Sequence, residues 1–293
     1  MIIIIILLFL ISVVLLISWH DTTHFVTHTH TLQVPRLSSP TTICLLSDLH
    51  DQIYAPDNNP LIQAVRDAQP DCIVIAGDLL TAHRSPAHLR PDRAVSLVRS
   101  LCQIAPVYIA EGNHEHKLRT YTDRYGDFYE KYTQRLREAG AQLLLDGNTL
   151  LTDSGIRMFG LDADETFFCK FIRTPMPQDY LNRMLGRPDP DHLNLLVAHH
   201  PWYFPEYAAW GADLVLSGHV HGGIVRLPYI GGVISPAFRL FPKYSGGCYR
   251  LQNAQLVVSC GLGSHTIRFR LFNPGELVVL HLTGIPSEAG HGV

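Results

Sequence analysis

The chain of 293 residues is 46% hydrophobic and 17% charged, enough apolar material for one large packed domain or two ordinary ones, which excludes a disordered chain. Its formal net charge of −3, with Lys and Arg scattered and no basic block, leaves no electrostatic footprint for nucleic acid, so any phosphate recognition must be local. Cys44, Cys72, Cys102, Cys169, Cys248 and Cys260 lack paired spacings in a chain far too long to need cross-linking, and read as mostly buried thiols.

In chain order, Ile2 to Trp19 carries no charge and only Ser12 and Ser18 as polar residues. As a helix it would reach roughly 27 Å against a hydrocarbon core of about 30 Å. A cleavable leader would want a basic start, a shorter apolar centre and a small-residue cleavage site, and none is evident. Residues 1–19 are therefore expected to be an uncleaved, single-pass transmembrane anchor in the lipid bilayer. The flanking charges do not choose a side, since Asp21 follows the span and the first Arg is Arg36. His20, His24, His28 and His30 lie among Thr residues; their alternation fits a strand better than a metal site, so residues 20–28 are expected as a stalk before an edge strand near Thr29–Val34.

From Thr42 the pattern is apolar strand, amphipathic helix, strand. Thr42–Leu46 runs into Ser47-Asp48-Leu49-His50, Asp71–Ala76 into Gly77-Asp78, and Val107–Ala110 through Glu111 into Gly112-Asn113-His114-Glu115. Between them, Pro60 opens a helix with Leu61, Ile62 and Val65 on one face, and Pro91 opens another with Ala94, Val95, Val98 and Leu101. A third helix, about Asp123 to Ala139, carries a Tyr and Phe stripe. Beyond it come short strands near Gln142–Leu145, Thr149–Thr152 and Arg157–Leu161, with Asp146-Gly147-Asn148 as a hairpin turn. Leu195–Ala198 then ends in His199-His200-Pro201, and Leu214–Ser217 in Gly218-His219-Val220-His221. Strands near Gly247–Leu251, Gln255–Ser259 and Leu277–Leu282 close the chain, before a loose tail over 284–293. Continuous apolar runs alternating with helices imply parallel strands covered on both faces. Two mixed sheets packed face to face with helices outside, an α/β sandwich of four layers, accommodate these strands better than one very wide sheet.

Loops at the carboxyl ends of such strands are where ligands bind, and five ends here deliver metal-ligand residue types. Asp48, His50, Asp78, Asn113, His199, His219 and His221 are explained by two divalent ions, with Asp78 bridging because close dications repel unless an anion lies between them. Asp48, His50 and His221 would complete one ion; Asn113, His199 and His219 the other. The donor set suits Mn, Fe or Zn. Such a pair can supply a bridging hydroxide that attacks phosphorus, so phosphoester hydrolysis is the expected output. His114 is not needed for coordination and is the candidate to donate a proton to the leaving oxygen or to stabilise charge on the phosphorus. Gly77, Gly112 and Gly218 read as turn residues that let the next side chain face the ions.

The ordered motifs D-x-H, G-D, G-N-H-E, H-x-P and G-H-x-H, seen here as Asp48-Leu49-His50, Gly77-Asp78, Gly112-Asn113-His114-Glu115, His199-His200-Pro201 and Gly218-His219-Val220-His221, resemble those of the calcineurin-like metallophosphoesterases. The resemblance spans about residues 42 to 282. It implies a four-layer α-β-β-α fold, a catalytic domain over 29–283 and a dinuclear site with the ligands named above. Thr81 stands where many relatives place an Asp three residues past the bridging carboxylate to pair with the histidine, so another group must orient His114. The apolar start, the Gly222–Pro228 stretch and Gly261-Leu262-Gly263-Ser264 resemble a membrane-anchored bacterial branch. Some members of that branch act on nucleotide-linked or lipid phosphodiesters, including UDP-diacylglucosamine.

Between Arg226 and Gly247 lies a loop rich in Pro, Gly and aromatics that is expected to overhang the ions, with Arg239, Phe241 and Lys243 as candidate substrate-binding residues. The segment Phe167–Arg173 has the same character. Together with the anchor they point to an amphiphilic phosphodiester or pyrophosphate substrate. A phosphomonoesterase or protein phosphatase using the same ions, and a noncatalytic scaffold of the same fold, remain the alternatives.

Overall fold

The structure, a computed structural model, describes residues 1–169, 173–235, 239–264 and 268–285. Helix α1 (Ile2–Thr23) leads into β1 (Phe25–Val34), β2 (Thr41–Leu46), α2 (Asn59–Asp67), β3 (Cys72–Ala76), α3 (Pro91–Leu101) and β4 (Val107–Ala110). Helices α4 (Asn113–Thr120), α5 (Thr122–Tyr125) and α6 (Phe128–Glu138) precede β5 (Gln142–Leu143), β6 (Gly147–Leu151) and β7 (Ile156–Leu161). The second half holds α7 (Tyr180–Leu185), β8 (Leu193–Ala198), α8 (Phe204–Trp210), β9 (Leu214–Ser217), β10 (Val225–Leu227), β11 (Gly231–Ile234), β12 (Gly247–Leu251), β13 (Ala254–Val258) and β14 (Gly275–Gly284).

Two six-stranded mixed sheets result, in the orders β1-β14-β2-β3-β4-β5 and β12-β13-β9-β8-β7-β6, with β10 and β11 as a separate ribbon. The alternation of each strand decides the layers. Ile43 and Leu45 of β2 face Leu195, Val197, Leu214 and Leu216 in the core between the sheets, whereas Cys44 and Leu46 face the outer layer of Leu61, Val65, Val95, Val98 and Leu136. The other outer layer packs Leu196, Val215 and Leu256 against Tyr203, Phe204 and Tyr207. This is the α-β-β-α sandwich expected, and its parallel registers position the site. Leu46 lies opposite Ile75 and Ala76 opposite Ala110 in one sheet, and Val197 opposite Leu216 in the other, so the strands end side by side.

Several local expectations need correction. The stalk at 20–28 is absent: the helix continues past Trp19 to Thr23, with the Thr22 and Thr23 hydroxyls donating back to the carbonyls of Ser18 and Trp19 at 2.7 Å. Strand β1 then starts at Phe25 and pairs in parallel with β14 along its whole length, at the sheet edge. The helix expected over 123–139 breaks in two at Gly126, whose φ of 58° is outside the helical region. Asp146-Gly147-Asn148 is a crossing between sheets, not a hairpin turn. Leu143 pairs with Ile109 in the first sheet and Gly147 with Gly160 in the second, while Leu144 is buried between them. Cys44, Cys72 and Cys260 are buried and Cys102 partly so, but Cys169 and Cys248 are exposed. Residues 286–293 of the tail, Lys170, Phe171 and Ile172 of the second aromatic segment, and Phe238 of the long loop lie outside the described residues.

Candidate metal centre

The first sheet delivers Asp48 and His50 after β2, Asp78 after β3 and Asn113 after β4; the second delivers His199 after β8 and His219 and His221 after β9. Asp48, His50 and His221 have ligand atoms within 4.8 Å of one another, as do Asp78, His199 and His219. Asn113 lines the same cleft, of about 370 Å³, beside Asp78, His114, His219 and His221. Five of these residues turn sharply off their strands. Asp48, His50, Asp78, His219 and His221 all have positive φ, between 47° and 71°, which costs of order 1–3 kcal/mol each in a non-glycine residue. Such conformations persist only where surrounding bonds over-determine them.

Those bonds are present. Both Asp48 carboxylate oxygens accept the His219 N–H, at 3.1 and 3.0 Å, and Oδ2 also accepts the Ser47 hydroxyl at 2.6 Å. Asp78 Oδ1 accepts the N–H of His114 at 2.9 Å and so caps α4, whose N-cap residue Gly112 has no side chain to do it. The Glu115 carboxylate, three residues into that turn, accepts the N–H groups of Gly112, Asp78 and Leu80 at 3.1, 2.9 and 3.2 Å. Burial, then the neighbouring Asp78 charge, pushes the Glu115 carboxyl up to about 8.

The histidine tautomers follow from fixed backbone partners. A carbonyl can only accept, so His221 donates its Nδ1–H to Gly263 O at 3.1 Å and His199 its Nδ1–H to Ala76 O at 2.6 Å. Each Nε2 is thereby turned toward the carboxylates: His199 Nε2 lies 3.1 Å from Asp78 Oδ2, and His221 Nε2 lies 3.3 Å from Asp48 Oδ1 and 3.3 Å from His50 Nε2. Two donors each 2.0–2.2 Å from one ion sit about 3.0–3.4 Å apart. The spacing thus fits coordination edges, and the buried Asn113 Oδ1, which has no hydrogen-bond partner among the described residues, offers a further oxygen. The residues present fit divalent cations. Burial, and after it Arg270, lowers His221 to about 3, and burial lowers His219 well below the usual range, so both stand in the neutral form that a metal takes. Burial opposes ionisation of Asp78, but the charge and hydrogen bond of His199 lead the effects that overcome it and hold the carboxyl well below its usual range.

His114 is oriented differently. The backbone N–H of Ala82 donates to its Nδ1 at 2.8 Å, which obliges the neutral ring to carry its proton on Nε2. It therefore meets the cleft as a donor, although its ring lies only 4.9 Å from that of His50. Thr81 Oγ1 stands 3.3 Å from His50 Nδ1 instead, in the position of a second partner that steadies a ligand. Turn geometry is the reason only at Gly77, where φ is 85°; Gly112 has extended backbone, and its role is close approach, because a Cβ there would collide with the Asp78 carboxylate. Gly112→Ala is accordingly expected to lower turnover by about 10², the effect of displacing a reacting geometry by an ångström. Full activity with the wild-type metal content would show that the carboxylate can move aside.

Apart from Phe168, in the segment expected to contact substrate, sequence reading missed the residues around the ligands that line the cleft. The lining includes Arg84 and Lys117 as cations beside His83, and Phe168, Trp202 and the buried His200 as an aromatic group. Phe168 stacks on His200 at 5.3 Å and meets the His219 ring edge-on at 5.3 Å. Arg239, Phe241 and Lys243 do not line this cleft. They line a second groove that shares Trp202, with the Arg239 guanidinium 3.7 Å above the Trp202 ring. Of the long loop, Ser235 alone among its described residues lines the metal cleft.

This fold and site define a metal-dependent phosphoester hydrolase. Residues 41–223, more than half of the chain, match the family described as calcineurin-like phosphoesterase, and the chain belongs to that family. Similar relatives include a metallophosphoesterase of Bacillus subtilis, YkuE, 25% identical over 82% of this chain and 78% of its own length. A phosphodiesterase of Escherichia coli, YaeI, is 22% identical over 78% and 77%. A transmembrane protein with metallophosphoesterase domain from Bos taurus is 26% identical over 83% of this chain but only 53% of its own length.

Proposed function

We propose that this chain is a membrane-anchored phosphodiesterase that holds two divalent ions, one between Asp48, His50 and His221 and one among Asn113, His199 and His219, with Asp78 shared. The observation that carries the reading is the convergence of overlapping donor groups, each with ligand atoms within 4.8 Å of one another, with the Nδ1 of His199 and of His221 pinned to a carbonyl. Mixed imidazole, carboxylate and amide donors suit Mn, Fe or Zn. When bound, such ions activate water and stabilise charge on phosphoryl oxygens. The chain's own part is to hold the phosphoryl group beside them. His114 Nε2–H donates a hydrogen bond to the departing oxygen and stabilises the charge that grows there, and Arg84 and Lys117 attract the anion to the cleft mouth. A lining that holds both cations and aromatic rings suits a diester with two unlike arms, and the relative YaeI is named a phosphodiesterase. Arg239, Phe241 and Lys243 receive the remote portion of such a substrate in the groove beyond Trp202.

Anchoring is supported by α1, whose length and composition suffice to cross a bilayer and whose residues are almost all exposed, and by relatives named as transmembrane proteins. The test uses the full chain in detergent with added Mn, comparing a bis-aryl with a mono-aryl phosphate. Diester turnover abolished by EDTA and restored by Mn, with about two ions bound per chain, is the expected result. Preference for the monoester would favour a phosphomonoesterase, and activity indifferent to EDTA would end the metal mechanism.

A further inference from the structure

The root of α1 is fastened to the catalytic domain beside the metal centre. The Asp21 carboxylate accepts the Asn273 N–H at 2.8 Å, the Ser18 hydroxyl oxygen accepts the Arg270 N–H at 3.4 Å, and the Gln52 amide donates to Thr22 O at 3.2 Å. Ser18 and Asp21 are buried by these contacts, while Trp19 between them is 63% exposed. The receiving segment is itself rigid. The Arg270 guanidinium donates to the carbonyls of Cys260, Gly261 and Gly263, and the Asn273 amide donates to those of His221 and Gly223 at 2.7 and 2.6 Å.

Phe272 sits between the two fastening residues Arg270 and Asn273. It is therefore held at the level of Ser18 to Asp21, about one helical turn, where the apolar run gives way to the first charged residue. Its ring is 51% exposed and lines a hollow with Leu227, Pro228, Tyr229 and Ile230 at the tip of the β10–β11 ribbon. Tyr229 is fully exposed and Ile230 60% exposed. Lys243 lines the same hollow, and Arg268 lies beside Thr22 and Thr23 at the helix root. Exposed aromatic and aliphatic groups rimmed by cations, continuous with a spanning helix, have the composition of a headgroup-level contact.

Resting on the membrane reading of α1, we propose that the β10–β11 tip and Phe272 form a second, separate contact with the bilayer. Tyr229, Ile230 and Phe272 enter the boundary between headgroups and acyl chains, and Lys243 and Arg268 face anionic phosphates. Two contacts fix the domain's rotation about its anchor, so the catalytic domain meets the membrane with one defined face and draws its phosphoester from that surface.

The experiment reconstitutes the full chain in vesicles of phosphatidylcholine and phosphatidylglycerol that contain a phosphatidylcholine with a photoactivated carbene source in its acyl chain, and maps adducts by mass spectrometry. Adducts on α1, on the Leu227–Ile230 segment and on Phe272 are expected, with few on the exposed Tyr121 and Leu145. Adducts on α1 alone would overturn the second contact and leave the anchor standing. Adducts on neither would overturn both, and equal labelling of Tyr121 and Leu145 would show nonspecific exposure instead of a docked face. A chain-to-chain link at Tyr229 in place of a lipid adduct would assign the patch to a second copy.

Discussion

Asp78→Asn is expected to lose at least one ion and essentially all turnover. Asp78 faces both donor groups, with Oδ2 at 3.1 Å from His199 Nε2 and 3.6 Å from His50 Nε2, closer to each than Asp48 Oδ1 at 3.7 and 3.8 Å, while Oδ1 caps α4. An uncompensated buried charge costs about 3–5 kcal/mol, here the repulsion left between cations, which corresponds to roughly 10²–10⁴ in affinity. Asparagine keeps the shape and can still accept the His114 N–H, so the fold should survive, as circular dichroism would show. Metal content by mass spectrometry and turnover of a bis-aryl phosphate are the decisive measurements. Undiminished values of both would remove Asp78 from the centre.

His114→Ala should separate chemistry from binding. Its Nδ1 is committed to the Ala82 N–H, so the ring contributes a proton at Nε2 and no lone pair. A loss of about 10²–10³ in kcat with both ions retained is expected for a hydrogen-bond donor that stabilises the departing oxygen. The loss should shrink as the leaving phenol becomes more acidic, because such a leaving group carries its charge with less help. A loss that is uniform across leaving groups would assign the ring to charge stabilisation on phosphorus, and a loss of metal would make it a ligand.

The sandwich and the gathering of its strand ends were legible in the sequence because both rest on strong periodic signals. Ile43, Leu45, Val74 and Leu195 sit in continuous apolar runs, and each run ends in a ligand type at the place where parallel sheets put ligands. What could not be read depends on through-space partners. No spacing in the chain says that Ala82, a residue with no polar side chain, orients His114, or that Thr81 serves His50. The left-handed turns at Asp48 and His221 carry no glycine to announce them. Of the motif glycines, Gly77 does turn, but Gly112 is extended and marks a collision avoided. The stalk expected at 20–28 failed for a related reason: a Thr and His run has weak local preference, and docking of Asp21 on Asn273 together with pairing of β1 on β14 decided where helix stops and strand begins. A domain cut free of α1 would lose the same docking, since both Ser18 and Asp21 lie on that helix.

The donors come from two sheets that share no hydrogen-bonded strand, four residues from one and three from the other. Cations bound there act as rivets across the sandwich, and their binding energy becomes part of what holds its halves together. Filling the centre and clamping the two layers are then one thermodynamic event, so occupancy can be followed by resistance to heat without any substrate.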